Sequence, residues 1–313
     1  MKVLIVDDVH PHLIQNLESA GFEVLYKPDI NRSDALQLMS EIQILVVRSK
    51  FKIDQSVLEN APELLMIARA GAGLDNVDIA LAKLKNIEVF HAAEGNADAV
   101  GEHTLGMILC LLSKLASADR SVRAGNWDRE KFRGTELKSK TVGLIGYGNM
   151  GRAVASRLSS FGCKIIAYDK YLEDWPDQNA ERVDLQTLFS DSQILSLHIP
   201  LTSETKGWIT TGFLKNFQKG LVLINTSRGE IVPLDGICRL LEVGELSGLG
   251  LDVLEDEPPL KISGSITPKY QSLFLREDVL LSPHVAGWTI ESYVKISEVL
   301  AGKILQHFSG LKN

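Results

Sequence analysis

Short apolar runs alternate with amphipathic stretches along the first part of the chain. Five runs have the length of buried strands: 3–6, 22–26, 44–47, 64–68 and 87–90. The stretches between them show helical spacing of apolar residues at 11–20, 33–41 and 54–60. Strands that alternate with helices pair in parallel and are covered on both faces. The pattern predicts an α/β domain built on a doubly wound parallel sheet.

A second series of the same kind begins at residue 141. Its expected strands are 141–146, 163–169, 194–198, 221–225, 248–253 and 279–284. The segments between them are long enough for crossover helices. Two such series in one chain predict two Rossmann-like domains and not one enlarged sheet.

Two longer stretches have helical character. Residues 97–124 contain few helix breakers and predict one long buried helix that joins the domains. Residues 289–308 predict a helix that follows the last strand and crosses back onto the first domain. The expected domains are therefore residues 1–97 with 286–313, and residues 98–285.

Composition narrows the class of protein. The chain is 45% hydrophobic and 23% charged, with a net charge of −7, which is ordinary for a globular protein and argues against general binding to nucleic acid or acidic membranes. The apolar start of the chain is too short for a signal peptide, and no run approaches a membrane span. The cysteines, Cys110, Cys163 and Cys238, lack metal-ligand spacing and predict reduced thiols in a cytoplasmic protein without a metal site.

A glycine-rich turn, GYGNMG at 146–151, directly follows the first strand of the second series. Gly146 permits a tight turn from strand to helix, Gly148 lets the backbone approach a pyrophosphate, and Gly151 allows close packing of the helix. Asn149 and Met150 begin the helix, whose free N–H groups and positive end attract phosphate. This arrangement predicts a dinucleotide site.

Asp169 ends the next expected strand, eighteen residues after Gly151. A carboxylate there accepts hydrogen bonds from the hydroxyls of the adenosine ribose and repels a 2′-phosphate. The sequence therefore predicts NAD as the cofactor in preference to NADP. Lys170 follows immediately and weakens that preference a little.

Polar groups lie at or just beyond the ends of the last three expected strands of the second series, at Arg228, at Asp252 to Glu257, and at His284. Ligands of open parallel sheets bind beyond the carboxyl ends of the strands. An arginine can hold a carboxylate by two hydrogen bonds, and a histidine is the usual proton carrier near neutral pH. Each residue alone is as well explained by a structural role, but their shared position beside a dinucleotide turn indicates a catalytic set.

Together these motifs resemble the D-isomer-specific 2-hydroxyacid dehydrogenase family over essentially the whole chain. The matching segments are HIPLTSETKGWI (198–209), INTSRGEIV (224–232), LDVLEDEPP (251–259) and LSPHVAG (281–287), together with the glycine turn. The resemblance implies that Arg228, Glu257 and His284 are catalytic. It also implies a cofactor domain inserted into a substrate domain, and a homodimer joined through the cofactor domain.

The same resemblance implies further residues at the NAD site. Beyond the glycine turn and Asp169 these are Thr104, His198, Pro200, Thr226, Ser227, Asp252 and Gly287. Among them, Asp252 is expected near the nicotinamide amide.

Within the family, three segments resemble the branch that oxidises 3-phosphoglycerate in serine biosynthesis: VVRSKFKID (46–54), ARAGAGLDNVD (68–78) and AGNWDREKFRGTELKSKTVGLIG (124–146). A phosphorylated substrate needs cations, and the candidates are Arg48, Lys50 and Arg69 at strand ends of the first domain. The backbone amides of Ala72 and Gly73 resemble a carboxylate-binding loop.

The basic loop with Arg129, Lys131 and Arg133 is a second candidate for the phosphate, expected to reach a neighbouring subunit. Two features depart from the branch. The 313 residues leave no room for a C-terminal regulatory domain, so feedback by serine is not expected. Trp288 replaces a smaller residue and is expected either to reshape the substrate pocket or to pack in the protein interior.

Several alternatives remain open from the sequence. The same scaffold suits a glyoxylate or hydroxypyruvate reductase, or a D-lactate dehydrogenase, for which Arg48 and Arg69 would matter little. A non-catalytic NAD sensor would retain the same motifs. A receiver domain is disfavoured because Arg48 and Ser49, not an aspartate, follow the third strand.

Overall fold

The computed structural model describes residues 1–175, 177–259 and 265–309. The chain divides into two compact units, Met1–Ala97 together with Trp288–Asn313, and Asp98–Gly287. Both are parallel α/β units, as the sequence predicted. Helices and strands are numbered along the chain.

The first unit contains a five-stranded parallel sheet in the order β2-β1-β3-β4-β5. Its strands are β1 (Lys2–Ile5), β2 (Glu23–Tyr26), β3 (Ile44–Val47), β4 (Met66–Arg69) and β5 (Glu88–His91). Its first helices are α1 (Pro11–Ser19), α2 (Arg32–Leu38), α3 (Gln55–Glu59) and α4 (Ile79–Leu84). All five predicted strands are confirmed, with ends that shift by at most two residues.

The prediction of one long helix at 97–124 is wrong. The chain forms two helices there, α5 (Ala93–Leu112) and α6 (Leu115–Arg123), whose axes differ in direction by 61°. Lys114 has a left-handed φ of 54° at the break. The carbonyl of Leu112 accepts a hydrogen bond from the N–H of Thr135 at 2.9 Å, in place of the helical bond that a continuous helix would make. This contact is remote in sequence, so helical periodicity did not reveal it.

Of the described helices, none alone has the length and apolar character to cross a membrane; only the bent pair α5 and α6, taken together, satisfies those two criteria.

The second unit contains a seven-stranded parallel sheet in the order β12-β11-β10-β9-β6-β7-β8. Its strands are β6 (Thr141–Ile145), β7 (Lys164–Tyr168), β8 (Glu181–Arg182), β9 (Ile194–Leu197), β10 (Leu221–Asn225), β11 (Leu246–Leu251) and β12 (Val279–Leu281). Its helices after α6 are α7 (Asn149–Leu158), α8 (Leu185–Asp191), α9 (Thr211–Leu214), α10 (Ile237–Glu242) and α11 (Pro268–Phe274). The six predicted strands are confirmed. The sequence missed β8, since two exposed polar residues at a sheet edge carry no apolar pattern.

The last helix, α12 (Ile290–Ser309), confirms the helix predicted at 289–308, and it belongs to the first unit. Alternate residues of β1 face opposite sides of the sheet. Val3 and Ile5 pack in the cluster that includes Leu300 and Ile304 of α12, whereas Leu4 faces the side covered by α2, α3 and α4. Because both faces are covered, the central strand β3 is apolar and buried at every position, whereas the edge strands β2 and β5 begin with the exposed Glu23 and Glu88.

We expect Leu300→Ala to lower the free energy of unfolding of the first unit by about 2–5 kcal/mol, because the fully buried side chain leaves a cavity. The measurement is guanidinium denaturation followed by circular dichroism.

Gly302→Ala on the same helix is the matched control. A Cβ at Gly302 would have no atom within 4 Å, so alanine adds helix propensity without a clash. We expect it to stabilise the unit by about 0.5–1 kcal/mol. Shifts of the two variants in the same direction would contradict this packing of α12.

Candidate active site

Parallel pairing brings six strand ends of the second unit to one level. The register aligns one residue from each of β7, β6, β9, β10, β11 and β12: Tyr168, Ile145, Leu197, Asn225, Leu251 and Leu281. The chain therefore leaves the sheet at the same edge in every strand. The residues that follow the row are Asp169, Gly146, His198, Thr226, Asp252 and Ser282, of which all but Ser282 were predicted at the site.

The glycine turn after β6 has the geometry that the sequence predicts. Gly146 has a φ of 92°, and a Cβ there would lie 2.3 Å from the carbonyl oxygen of His198. A Cβ at Gly151 would lie 2.1 Å from the carbonyl oxygen of Gly146. Gly148, which precedes α7, has nothing within 4 Å of an added Cβ, and no side chain caps the helix. The start of α7, where Asn149 and Met150 lie, thus leaves backbone N–H groups for an anion.

Asp169 is anchored at the end of β7. Its Oδ2 accepts a hydrogen bond from the N–H of Tyr147 at 2.8 Å. Its Oδ1 accepts from the N–H groups of Tyr171 and Leu172 at 2.9 and 3.0 Å. These bonds orient an acceptor-only group beside the glycine turn, with lone pairs left for hydroxyl donors.

A cavity of about 760 Å³ lies over this edge of the sheet. Five of the predicted cofactor residues line it: Gly146, Gly148, Asp169, His198 and Pro200. Burial lowers the pKa of His198 to about 3, so its ring is neutral and hydrogen-bonds to Ser196 at 2.9 Å. An open glycine turn, an uncapped helix start and a carboxylate on one cavity fit a dinucleotide.

The remaining predicted cofactor residues of the second unit have varied surroundings. The hydroxyls of Thr104 and Thr226 lie 3.1 Å apart. Ser227 is buried and donates to the carbonyl of Leu197 at 2.5 Å. Gly287 ends the unit.

Arg228 follows β10 on a loop that a buried side chain organises. Asn225 Oδ1 accepts from the N–H of Ser227 at 3.0 Å, and its Nδ2 donates to the carbonyl of Arg228 at 2.9 Å. Asn225 was not predicted from the sequence, although an amide that ends an apolar strand is a usable signal. A Cβ at Gly229 would lie 1.9 Å from the backbone carbon of Leu254, so glycine is required where the two loops meet.

The structure brings Glu257 and His284 together. His284 Nδ1 lies 2.7 Å from Glu257 Oε2, and Glu257 Oε1 accepts from the N–H of Leu254 at 2.9 Å. Burial opposes ionisation of Glu257, but the bonds from His284 and Leu254 and the charge of Arg228 outweigh it and lower the pKa of the carboxyl. Glu257 is therefore an anion near neutral pH.

Asp252 holds the loop that carries His284, which has a left-handed φ of 57°. The Asp252 carboxylate is 1% exposed. Its Oδ1 accepts from the hydroxyl of Ser282 at 2.6 Å and from Val285 N–H at 2.9 Å, and its Oδ2 accepts from Ala286 N–H at 2.8 Å. These bonds offset the strain of the histidine backbone. Asp252 was expected near the nicotinamide; its described side-chain contacts are with this loop and with His103 of α5, whose Nε2 lies 3.6 Å from Asp252 Oδ1.

In the first unit, Arg48 follows β3 and stacks on Trp288, with its guanidinium carbon 3.9 Å from the ring centroid. Its backbone N–H donates to Asp7 Oδ2 at 2.6 Å. No described residue accepts a hydrogen bond from its guanidinium. Trp288 in turn packs edge-on against Tyr293 at 5.9 Å. The indole therefore backs a cation whose N–H edge is available.

Other predicted substrate residues differ in their surroundings. Within the described residues, the backbone N–H groups of Ala72 and Gly73 have no acceptor. The guanidinium of Arg69 folds against Gly71, since a Cβ there would overlap it. The Lys50 ammonium binds the carbonyl of Pro28.

The basic loop of the second unit is partly neutralised. Lys131 pairs with Glu277 at 2.9 Å, and Arg133 pairs with Glu130 at 2.6 Å. Arg129 is exposed.

Comparison with known proteins identifies the family to which the chain belongs. Residues 105–286 match the NAD-binding domain of D-isomer-specific 2-hydroxyacid dehydrogenases. The chain is 34% identical to D-3-phosphoglycerate dehydrogenase of Archaeoglobus fulgidus, over 99% of this chain and 58% of that relative. It is 36% identical to hydroxypyruvate reductase of Thermotoga maritima, over 88% of each chain.

A solved structure of D-lactate dehydrogenase from Aquifex aeolicus, complexed with NAD and lactic acid, has the same fold. The TM-score is 0.84 at 28% identity, covering 99% of this chain and 96% of the other. The chain spans little more than half the length of the D-3-phosphoglycerate dehydrogenases it matches. Since the family match covers more than half of the chain, this protein belongs to the D-isomer-specific 2-hydroxyacid dehydrogenase family and carries its NAD-binding domain.

Proposed function

We propose that the protein is an NAD-dependent dehydrogenase that oxidises D-3-phosphoglycerate to 3-phosphohydroxypyruvate. The observation that supports the chemistry best is the 2.7 Å hydrogen bond between His284 and Glu257, both of which lie within the NAD-binding unit. A histidine oriented by an ionised carboxylate is the usual arrangement for moving the proton of a hydroxyl group.

The residues act as follows in this proposal. Glu257 accepts a hydrogen bond from the Nδ1–H of His284, which leaves Nε2 to take the proton of the substrate hydroxyl. Arg228 holds the substrate carboxylate and polarises the developing carbonyl. When bound, NAD⁺ supplies the acceptor for the hydride that leaves C2. In the reverse direction protonated His284 returns the proton.

The other predicted residues hold the two small molecules. The turn from Gly146 to Gly151 would bind the pyrophosphate, and Asp169 the ribose hydroxyls. The open N–H groups of Ala72 and Gly73 would meet the substrate carboxylate. Asp252 would serve the cofactor indirectly, through the loop it anchors.

Arg48 favours a phosphorylated substrate. Stacking on Trp288 uses the face of the guanidinium and leaves its N–H edge for the oxygens of a phosphate. In the sequence, Trp288 departs from the branch that oxidises 3-phosphoglycerate, whereas its contact with Arg48 supports an anion site. Oxidation of 3-phosphoglycerate would place the protein at the first step of serine biosynthesis, in the cytoplasm, where its three free cysteines would stay reduced.

A second candidate is reduction of hydroxypyruvate or glyoxylate. The similarity to hydroxypyruvate reductase, which covers 88% of each chain, favours it. A D-lactate dehydrogenase would use the same His284 and Arg228. In these cases the substrate has no phosphate, and Arg48 contributes little.

We also propose a homodimer formed through the second unit. Three large apolar side chains in and after α6 are strongly exposed: Leu115 at 62%, Val122 at 50% and Trp127 at 80%. A partner subunit would remove them from water. Sedimentation equilibrium of Trp127→Glu tests this, and we expect a shift from dimer toward monomer; an unchanged mass would contradict a dimer through this surface.

We expect His284→Asn to lower kcat by about 10²- to 10⁴-fold, because general acid–base catalysis is lost. NAD⁺ affinity, measured by calorimetry, should change little. Glu257→Gln should lower kcat by less, since the ring keeps its Nε2 but loses an ionised partner. His12→Asn is the matched control, because His12 also faces a carboxylate, Glu298, at 3.6 Å. Normal turnover of His284→Asn would contradict the assignment.

We expect Arg48→Gln to raise the KM for 3-phosphoglycerate about ten- to a hundredfold, as one charge-assisted hydrogen bond is lost. The KM for D-lactate should hardly move. The measurement is a steady-state panel of 3-phosphoglycerate, phosphohydroxypyruvate, glyoxylate, hydroxypyruvate and D-lactate with NAD(H).

Trp288→Leu should raise the KM for 3-phosphoglycerate by a smaller factor, because the guanidinium keeps its charge but loses its backing. If a non-phosphorylated substrate gives the highest kcat/KM in the unaltered protein, the phosphate assignment is wrong and the second candidate stands. Inactivity on all five would contradict the enzymatic proposal.

A further inference from the structure

Glu204 is an exposed carboxylate on the wall of the cofactor cavity, in a position for which no catalytic or structural role has been assigned. Its Oε2 accepts a hydrogen bond from Lys170 Nζ at 2.6 Å and another from the hydroxyl of Tyr171 at 2.6 Å. All three residues line the cavity that also contains Asp169 and the glycine turn.

The turn that carries Glu204 is well defined. Thr202 N–H donates to Thr205 Oγ1 at 2.8 Å, and the hydroxyl of Thr205 donates to the carbonyl of Pro200 at 2.6 Å. The N–H of Glu204 itself donates to Thr202 Oγ1 at 3.2 Å. The position of Glu204 beside the Lys170 loop is thus set by the hydrogen bonds of its own turn as well as by the ion pair.

The loop after β7, which carries Lys170, is also held by hydrogen bonds. Asp169 Oδ1 accepts hydrogen bonds from the N–H groups of Tyr171 and Leu172, which fixes the loop just after β7. Lys170 therefore begins next to the carboxylate that would hold the adenosine ribose. A cation next to that carboxylate is what a Rossmann domain uses to accept a 2′-phosphate.

The charges on the cavity wall decide what that cation can do. Of the described residues that line the cavity, Lys170 alone is cationic, since His198 is neutral, while Asp169 and Glu204 are anions. The Glu204 carboxylate and the Tyr171 hydroxyl both face Lys170. The hydrogen bond to Glu204 raises the pKa of Lys170, and the same bond lowers that of Glu204, so both stay charged near neutral pH.

We propose that Glu204 sets the choice of NAD over NADP by holding Lys170 away from the 2′ position of the cofactor and by adding a second negative charge to the cavity. Asp169 repels the phosphate directly, and Glu204 removes the cation that would compensate. The proposal rests on NAD binding by this unit and is independent of the identity of the hydroxy acid.

The test measures dissociation constants of NAD⁺ and NADP⁺ by isothermal titration calorimetry, without substrate. Glu204→Gln should lower the ratio Kd(NADP⁺)/Kd(NAD⁺) about tenfold, because Lys170 becomes available and one repulsive charge is removed. Adding Lys170→Gln should restore the higher ratio. AMP and adenosine 2′,5′-bisphosphate, titrated in the same way, localise the effect to the ribose.

Glu242→Gln is the matched control, since Glu242 is also an exposed glutamate of this unit in an ion pair, with Arg239 at 3.3 Å, and does not line the cavity. Its ratio should equal that of the unaltered protein. A ratio for Glu204→Gln within twofold of the unaltered protein overturns the proposal, as does a tenfold decrease that survives the loss of Lys170. Lys170→Gln alone gives a second test: it should leave NADP⁺ binding within twofold of the unaltered protein, because Glu204 already engages the cation there. A tenfold weaker binding of NADP⁺ to this variant would overturn the proposal.

Discussion

Parallel register in the second unit is the constraint on which the candidate site depends. Hydrogen bonding between adjacent strands aligns Tyr168, Ile145, Leu197, Asn225, Leu251 and Leu281 in one row. Every loop that follows this row starts at the same edge, although the loops span more than a hundred residues of sequence. Residues as distant as Gly146 and Ser282 therefore share one edge because of backbone pairing, and their side chains add chemistry to a position already determined.

Tight contacts between loops then orient the groups that the register brings near. The buried carboxyl group of Asp252 accepts hydrogen bonds from the loop that carries His284, whose backbone is left-handed. Gly229 lets the Arg228 loop touch the backbone of Leu254, whose N–H in turn holds Glu257. Buried carboxylates and close backbone contacts are costly unless every donor and acceptor fits. Strict local geometry is the consequence.

The carboxylates of this unit have different tasks because they meet different donors. Asp252 accepts hydrogen bonds from a hydroxyl and from backbone N–H groups and so anchors the loop that carries His284. Glu257 is hydrogen-bonded to a histidine and stays ionised beside it. Glu204 accepts hydrogen bonds from a lysine and a tyrosine at the cofactor cavity. The same chemical group thus orients the loop that carries His284, a candidate proton carrier or a cation, according to its partners.

The sequence by itself determined the fold class, since buried parallel strands must be apolar and must alternate with helices. It also located the glycine turn, Asp169 and the Arg228, Glu257 and His284 set, because such chemistry needs particular residue types after particular strands. Only the tertiary structure decided where α5 stops, as the carbonyl of Leu112 bonds to Thr135. It also decided what Asp252, Asn225, Trp288 and Glu204 touch. Those contacts join positions far apart in sequence, and no local pattern specifies a partner that only folding brings within reach.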